Sequence, residues 1–386
     1  MSQMNKRTLL GLTAAAALTA LVGCGKKEEP AAPAAASAPA PAASVAAAPK
    51  PEPLKVAWVY IGPIGDAGWT YAHDLGRKAV EAEFGDKVQT TYVEKVPESA
   101  DAERVLRDLA SQGNKLIFTT SFGYMEPTIK VAQEFPDVKF MHATGYKLAP
   151  NVGVYDASFY QDAYISGMIA GAMTKTNTLG FVGSFPIPEV LRNINAYALG
   201  AQVTNPKAKV KVVWVNTWFD PPKESEAAQS LINGGADVLL QNTDSSAVLQ
   251  TAEKAGKFAF GWDSDMSAVA PKAHLASNVV HWGPAYNKYV KDVLDGTWKS
   301  DRIVWGTKEG VNEVVKIADA MPEDLKKKID EIKAGMKDGS FEVFSGPIAD
   351  NTGKERLAKD TKADQAWKDK VDFYVKGVDG KVPTGK

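Results

Sequence analysis

The sequence predicts an α/β protein with two lobes, each a parallel sheet flanked by helices. Apolar segments of four to eight residues alternate with helical patterns of ten or more from residue 54 onward, which is typical of right-handed βαβ units. Ten strands are many for one sheet in a chain of 386 residues. The fourth and fifth strands follow each other with no helix between them, so we predict that the chain enters a second lobe after the fifth.

The individual elements are predicted from the spacing of apolar residues along the chain. The predicted strands are 54–61, 87–94, 115–120, 137–143, 152–158, 178–182, 209–215, 236–240, 257–261 and 274–280. The predicted helices are 67–83, 99–112, 124–134, 161–175, 187–203, 222–234, 245–255, 283–296 and 322–337.

The domain organisation follows from where the chain crosses between lobes, near residue 158 and again near 278–282. Lobe 1 is predicted to comprise residues 54–158 with about 281–310, and lobe 2 residues 159–280. A hinge joins the two lobes. Residues 311–386 form a C-terminal segment that we expect to pack across both of them.

The N-terminal part is predicted to lie outside the folded lobes. Residues 1–23 have the positive start and apolar segment of a signal peptide, and the apolar segment, about 14 residues, is short of the about 20 that span a membrane. Their ending resembles the bacterial lipobox, which implies that Cys24 is lipidated; the alternative is a plain secretory signal with an incidental cysteine. Residues 24–53 are rich in Ala and Pro and are typical of a disordered linker. We therefore predict an exported protein tethered by lipid.

Composition argues against several functional classes. The formal net charge is −1, with both signs interspersed, so no nucleic-acid partner is predicted. The single cysteine excludes an intrachain disulfide framework and a thiolate metal cluster. The four histidines lack metal-ligand spacing. We therefore predict neither a metal nor a cofactor.

The segment from Val59 to Thr70 organises the rest of the chain. It joins the first strand to the first helix through three glycines and a proline, at the carboxyl end of a strand, where open α/β sheets bind ligands. Asp66 lies on this loop, and Trp69 lies on the first turn of the helix. The small neighbours of Trp69 leave room for a ligand against its ring; the alternative is that Trp69 is a core residue.

The loops after four other strands also carry aromatic rings, carboxylates or small hydroxyls. A site lined by rings from both lobes, with acceptors at its edge, suits a planar heterocycle that bears N–H donors. The loops contain Ser121-Phe122-Gly123-Tyr124, Asn216-Thr217-Trp218-Phe219-Asp220, Gln241-Asn242-Thr243-Asp244-Ser245-Ser246 and Trp262-Asp263-Ser264-Asp265.

Catalytic motifs are weak or missing in the sequence. The glycines at 62, 65 and 68 have the wrong spacing for a dinucleotide fingerprint, and neither a Walker A sequence nor a GxSxG nucleophile elbow occurs. Asp263 and Asp265 could form a general acid/base pair, but alternate residues of an extended loop usually point to different sides. We predict a binding protein without catalytic residues; the alternative class is an exported enzyme such as a nucleoside hydrolase.

A resemblance to a known family extends over residues 54–386. The stretches that carry it are Asp66 to Trp69, Gly167 to Thr176, Leu179 to Gly183, Asn205-Pro206, Trp218 to Lys223, Gly234 to Val238, Gly261 to Asp265, Gly346 to Ile348 and Tyr374 to Val378. They resemble the basic membrane protein (Bmp/Med) family of substrate-binding lipoproteins, which serve ATP-driven importers and in several members bind purine nucleosides. The resemblance implies a type I periplasmic binding protein that closes over its ligand by hinge motion. It also implies a membrane permease as partner and a periplasmic location, with a lipid anchor in the cell membrane.

The resemblance further implies roles for single residues. The stacking phenylalanines of the family fall on Trp69 and Trp218, and an aspartate that reaches ribose falls on Asp263. A lysine that contacts the ligand falls on Val280, which cannot donate a side-chain hydrogen bond. This loss favours a purine base such as adenine, with a nucleoside or another planar heterocycle as the alternative. The predicted ligand-binding residues are Asp66, Trp69, Phe122, Tyr124, Trp218, Asp244, Asp263 and Asp265.

Overall fold

The computed structural model describes residues 52–383, which form two six-stranded sheets and a small hairpin. All ten predicted strands and all nine predicted helices have counterparts of the same type. The strands are β1 (Leu54–Val59), β2 (Val88–Val93), β3 (Leu116–Thr119), β4 (Lys139–Ala143), β5 (Val152–Ala157), β6 (Thr178–Gly183), β7 (Lys209–Trp214), β8 (Val238–Asn242), β9 (Phe258–Asp263), β10 (His274–Val280), β11 (Arg302–Trp305), β12 (Asn312–Val315), β13 (Ile348–Ala349) and β14 (Glu355–Leu357). The helices are α1 (Trp69–Phe84), α2 (Ala100–Ser111), α3 (Met125–Glu134), α4 (Phe159–Met173), α5 (Pro188–Thr204), α6 (Pro221–Asn233), α7 (Ala247–Lys254), α8 (Gly283–Leu294), α9 (Glu323–Asp338) and α10 (Gln365–Lys368).

Each sheet forms the centre of one lobe. The sheet of lobe 1 has the order β11-β5-β4-β3-β1-β2, and all its strand pairs are parallel. The sheet of lobe 2 has the order β12-β10-β9-β8-β6-β7, with β12 antiparallel to β10. Central strands such as β3 and β8 are buried along their whole length, because helices cover both faces of a parallel sheet. The prediction of a two-lobed α/β fold is therefore confirmed.

Three segments carry the chain from one sheet to the other. The first joins β5 to α4 around residue 158, the second joins β10 to α8 at residues 281–282, and the third joins β11 to β12 at residues 306–311. These three crossings are where the predicted hinge would lie.

Four strands and a short helix were not among the predicted elements. β11 and β12 have four residues each, and β13, β14 and α10 are as short or shorter, so no hydrophobic period can be recognised in them. β12 adds an edge strand to the sheet of lobe 2. Part of the segment 311–386, predicted to pack across the lobes, therefore belongs to one sheet.

The first two helices of lobe 2 pack with their backbones in close contact, which fixes the position of the first turn of α5. A Cβ at Gly167 would lie 2.1 Å from the backbone oxygen of Tyr197, and one at Gly200 would lie 2.0 Å from that of Tyr164. Only glycine allows so close an approach. Because α5 is held here, its N-terminal residues have a defined place at the edge of the sheet.

Sequence features outside residues 52–383 receive no structural description. The predicted signal peptide, Cys24 and nearly all of the predicted linker lie in that part of the chain. Among the helices from residue 52 to residue 383, none is both long and apolar enough to cross a membrane.

Candidate functional site

A small cavity lies between the lobes, with about 290 Å³ of empty space that includes some open solvent. Its walls come from loops after strands of both sheets and from the first turns of α1 and α5. This is where parallel sheets bind ligands. The lining residues are Ile61, Trp69, Ser121, Phe122 and Thr144 of lobe 1 and Glu189, Trp218, Asn242 and Asp244 of lobe 2.

Trp69 forms part of the lobe 1 wall and is held firmly from behind. Its indole Nε1–H donates to the backbone oxygen of Thr120 at 2.6 Å. The ring packs edge-on against His73, with centroids 4.4 Å apart, and against Trp282 at 5.6 Å. Trp69 therefore packs against the core and also lines the cavity, and its contact with a ligand stays a prediction.

Trp218 and Phe122 add aromatic surface on opposite lobes. Trp218 lies on the loop after β7, with its ring centroid 5.0 Å from that of Phe185, and its backbone oxygen accepts from the N–H of Asp244 at 2.9 Å. The ring centroids of Phe122 and Tyr146 lie 6.5 Å apart. Each lobe thus presents at least one flat ring to the cavity.

Asp244 supplies a buried carboxylate to the cavity. Only 4% of the residue is exposed, and its Oδ2 has no hydrogen-bond partner among residues 52–383. Burial raises the pKa of this carboxyl well above its ordinary value, and the charges of Asp66 and Asp263 raise it further. A buried carboxyl oxygen without a partner is costly, so Oδ2 is suited to a hydrogen bond with a ligand, which it accepts when the group is ionised and donates when the group is protonated.

Glu189 is a second acid in the wall, on the first turn of α5. Burial raises its pKa to about 8, with a further contribution from the neighbouring carboxylate of Asp156. Arg192 opposes this shift, as does a hydrogen bond with Thr144. At neutral pH Glu189 is therefore mostly protonated and can donate a hydrogen bond.

Asn242 and Ser121 complete the polar lining. The Oδ1 of Asn242 accepts from Asn193 Nδ2 at 2.6 Å, which leaves the amide nitrogen of Asn242 to donate. The hydroxyl of Ser121 donates to Glu98, which also accepts from the N–H of Gly123 at 2.8 Å. The Ser121 oxygen therefore remains free to accept.

Three predicted ligand-binding residues have their polar groups engaged elsewhere. Asp66 accepts from the N–H groups of Gly68, Thr70 and Tyr71 at 2.8–3.0 Å and holds the start of α1, because its carboxylate lies against unpaired helical N–H groups. The hydroxyl of Tyr124, a fully buried core residue, donates to the backbone oxygen of Val96. Asp265 is exposed and accepts from the N–H of Ser267 at 2.9 Å.

Asp263 lies beside a different cavity. This space of about 160 Å³ next to the hinge is also lined by Asn278, Val280 and Asn312. Asp263 is 3% exposed, and neither of its carboxylate oxygens has a partner within the described range. Burial raises its pKa well above the ordinary value, and Asp66 and Glu189 add to the shift.

Strained backbone surrounds the site. Four non-glycine residues of these loops and strand ends have left-handed conformations: Ala67 before α1 (φ 66°), and Thr144 (57°), Asn216 (54°) and Asp263 (65°) at or just after the ends of strands. Each costs roughly 1–3 kcal/mol, and such residues concentrate at ligand-binding loops.

The lobes touch each other beside the cavity. The Ser264 hydroxyl donates to the backbone oxygen of Ala67 at 2.5 Å. A Cβ at Gly68 would lie 2.2 Å from the backbone oxygen of Asp244, so only glycine fits there. These contacts hold the lobes together at one side of the cavity.

Sequence reasoning identified four of the nine lining residues: Trp69, Phe122, Trp218 and Asp244. Ser121 and Asn242 lie on loops that it singled out, although neither was selected. Ile61, Thr144 and Glu189 were missed as well. Thr144 directly follows β4, so the strand-end rule could have found it, whereas Glu189 lies on a helix and is placed beside Thr144 and Asp156 only by the tertiary fold.

The comparisons with known proteins agree on the fold and on the role. The family model described as ABC transporter substrate-binding protein PnrA-like matches residues 54–343. The chain is 52% identical over 330 residues to a purine-binding protein of Brucella abortus, covering 86% of this chain and 94% of that protein. It is 37% identical over 331 residues to a protein of Haloferax volcanii named as a candidate ABC transporter glucose-binding protein, covering 86% of this chain and 82% of that protein.

A solved structure supports the fold class. The ABC transporter solute-binding protein of Conexibacter woesei superposes with a TM-score of 0.61 at 24% identity, covering 75% of this chain and 98% of that chain. The prediction of a type I periplasmic binding protein fold is therefore confirmed. Because the family model matches most of the chain and a relative is 52% identical over 86% of it, the chain belongs to the Bmp family of ABC transporter substrate-binding proteins.

Proposed function

We propose that this protein captures a purine base, such as adenine, between Trp69 and Trp218 and delivers it to the permease of an ABC transporter. Membership of the family implies a small-molecule ligand and a permease partner. The observation that carries the proposal is the cavity, to which each lobe gives a tryptophan and lobe 2 gives two acids and an amide. The name of the Brucella relative supports the same ligand class.

The polar groups of lobe 2 suit the edge of a purine. Asn242 and Asp244 lie two residues apart on one loop, and they offer a donor beside an acceptor. A purine edge presents the complementary pair, a ring nitrogen that accepts beside an N–H that donates. Glu189, when protonated, offers a second donor. Stacking on the rings adds roughly 1–3 kcal/mol for each aromatic that covers the base.

A free base fits the lining better than a nucleoside. Asp263, the counterpart of the aspartate that reaches ribose, lines the separate hinge cavity. Val280 stands where a lysine would contact the ligand, and its side chain cannot donate. Since ribose hydroxyls need polar partners once buried, a nucleoside or another planar heterocycle is the second choice.

A sugar is a second candidate, because the Haloferax relative carries a glucose-binding name. Tryptophan rings also pack against sugar rings, and carboxylates accept from hydroxyls. The two ligand classes differ in the hydrogen bonds that they need: a base needs a donor and an acceptor along one flat edge, whereas a hexose has several hydroxyls that each donate and accept. Glucose therefore belongs in the same binding assay as adenine.

We also propose that the protein performs no chemistry, in contrast to the alternative of a nucleoside hydrolase. The relatives with matching length are transport proteins, and residues 52–383 contain no group of three or more His, Cys, Asp or Glu arranged to hold a metal ion. Release of free base from incubated nucleoside would contradict this.

A lipid on Cys24 would tether the protein at the periplasmic face of the cell membrane.

A thermal-shift screen followed by calorimetric titration tests the proposed ligand. Adenine, hypoxanthine, adenosine, glucose and a neutral amino acid are each added to the full chain. A ligand that binds only the folded state raises the unfolding temperature, so we expect a shift with the bases and none with the amino acid. Binding of glucose without binding of any base would overturn the proposal.

A further inference from the structure

The C-terminal end of the described chain lies beyond the part that the family model matches. That match ends at residue 343, while the structure continues to residue 383. Residues 344–383, here called the strap, contain β13, β14 and α10. The family model does not describe this segment, although Gly346 to Ile348 and Tyr374 to Val378 carry part of the sequence resemblance to the family.

The strap is firmly attached to lobe 2. The side chain of Asn195 on α5 donates to the backbone oxygen of Phe373 and accepts from the N–H of Val375, both at 2.9 Å. Val210 of β7 donates to the oxygen of Gly377 and accepts from the N–H of Asp379, again at 2.9 Å. Since these bonds join α5 and β7 to one continuous stretch, this part of the strap moves with lobe 2.

The same strap reaches lobe 1 through Asp369. Its carboxylate accepts from both terminal nitrogens of Arg302, at 2.6 Å and 3.0 Å. Arg302 lies on β11, the edge strand of the lobe 1 sheet. A two-point contact of this kind is among the stronger hydrogen-bonded ion pairs in proteins.

The Asp369–Arg302 pair belongs to a charge cluster beside the hinge. Arg192 of α5 lies 3.4 Å from Asp369 and 3.7 Å from Asp156, and Arg302 lies 3.8 Å from Asp156. Asp156 and Arg192 are almost fully buried. The cluster therefore combines charges from lobe 1, from lobe 2 and from the strap.

A second contact places the strap against the first crossing. Lys368 donates to the hydroxyl of Tyr160 at 2.9 Å and to Glu342 at 2.8 Å. Tyr160 is the second residue of α4, which begins where the chain enters lobe 2. Lys368 thus contacts α4 just after the first crossing, and the neighbouring Asp369 contacts β11, the strand that leads into the third crossing.

We propose that the strap is a latch that favours the closed arrangement of the lobes through the Asp369–Arg302 pair. Arg302 moves with lobe 1 and Asp369 with lobe 2, so opening the hinge lengthens the bonds between them. Each of the two partly buried charges would then lose its shortest ion pair, while Asp369 would keep Arg192 at 3.4 Å and Arg302 would keep Asp156 at 3.8 Å. This loss raises the free energy of the open form. Arg192 lies one helical turn from Glu189 of the cavity wall, so the cluster adjoins the candidate ligand site.

Substitutions at both ends of the pair test the latch in the full-length protein. Asp369→Asn and Arg302→Gln remove the ion pair across the lobes. The matched control is Arg356→Gln, which removes the 2.8 Å pair between Arg356 and Asp350 inside the strap. Small-angle scattering of ligand-free protein should give a larger radius of gyration for the two test variants than for wild type and control.

Binding of adenine gives a second readout. We expect the dissociation rate in the test variants to rise and the affinity to fall about tenfold, because less of the protein is in the competent closed form. Equal radii of gyration and equal adenine affinities in Asp369→Asn and Arg356→Gln would overturn the latch. If adenine does not bind wild type, the proposed ligand fails while the scattering still decides the latch.

Folding must be checked independently. Urea unfolding without ligand shows whether a test variant is destabilised more than the control. If one is, Arg302→Lys replaces it, since lysine keeps the charge on β11 but cannot make the two-point contact. If the latch exists, Arg302→Lys should still increase the radius of gyration above that of wild type, but by less than loss of the whole ion pair does. No increase in Arg302→Lys would contradict the latch.

Discussion

Removing the indole of Trp218 is the sharpest test of the stacking role, because this ring lines the cavity and, unlike that of Trp69, has a single aromatic neighbour in the described part of the chain. It is only partly buried, and its aromatic neighbour is Phe185. Trp218→Ala takes one aromatic face from the ligand. Since a base stacked on an aromatic gains roughly 1–3 kcal/mol, the affinity for adenine should fall about 5- to 150-fold.

The corresponding change at Trp69 has a mixed effect. Trp69→Ala removes a stacking face, but it also removes the hydrogen bond to Thr120 and the contacts with His73 and Trp282. A fully buried Trp→Ala costs about 3–5 kcal/mol of folding stability, and the cost here is smaller because Trp69 is partly exposed. Trp69→Phe keeps a ring in place and should cost less in both quantities.

Two measurements separate stacking from packing. Calorimetric titration with adenine gives affinity, and urea unfolding without ligand gives stability. Trp298→Ala is the control, since Trp298 is also partly buried but packs beside Lys139, 5.2 Å away, and is not among the lining residues. The control should lose stability and keep its affinity. A folded Trp218→Ala protein that binds adenine as wild type does would refute the stacking role.

Four further outcomes are expected. Asp244→Asn should weaken adenine binding about tenfold, since an acceptor becomes an amide, and unchanged calorimetric affinity would contradict its role. Because burial raises the pKa of Glu189 from 4.5 to about 8, the folded state holds a proton that the unfolded state releases, so the free energy of unfolding should fall as pH rises from about 5 to about 8. Glu189→Gln should reduce this pH dependence of the free energy of unfolding, measured by urea unfolding at several pH values. If the variant shows the same pH dependence as wild type, other acids cause it. Saturating adenine should reduce the radius of gyration, and an unchanged profile would count against hinge closure. Mass spectrometry should find lipid on Cys24 in wild type and none in Cys24→Ser; bare Cys24 in membrane-extracted wild type would end the lipobox interpretation.

The fold could be predicted because it depends on local periodicity. Alternating apolar runs and helical patterns predicted the strands of both sheets from β1 to β10 and the helices from α1 to α9. β11 and β12 escaped detection because, unlike the equally short but apolar and fully buried β3, they begin with polar residues and are only partly buried, and because their places depend on open edges of the sheets. The edge that β10 offers to β12 exists only once the sheet has formed, so sequence alone could not predict this pairing.

Only part of the site could be predicted, because the position of a residue at a strand end does not determine where its side chain points. Trp69 and Asp66 share one loop, yet Trp69 lines the cavity while Asp66 binds the N–H groups at the start of α1. Phe122 and Tyr124 diverge in the same way, since the hydroxyl of Tyr124 finds a backbone acceptor in the core. Glu189 required knowledge of helix packing that no local pattern contains.

The two lobes contribute unequal chemistry, and this makes closure part of binding. In the cavity, lobe 2 supplies both acids, Glu189 and Asp244, whereas lobe 1 supplies Trp69, Phe122 and two hydroxyls. A base held by lobe 2 alone would keep one ring face in water, and only closure adds the second stacking face. The lobes must open again when the ligand is released to the permease, so the free energy gained on closure has to be given back at that step. Arg302 and Asp369 are 22% and 28% exposed, and a pair that water can reach costs less to separate than a fully buried one. Such a latch can favour capture without trapping the ligand.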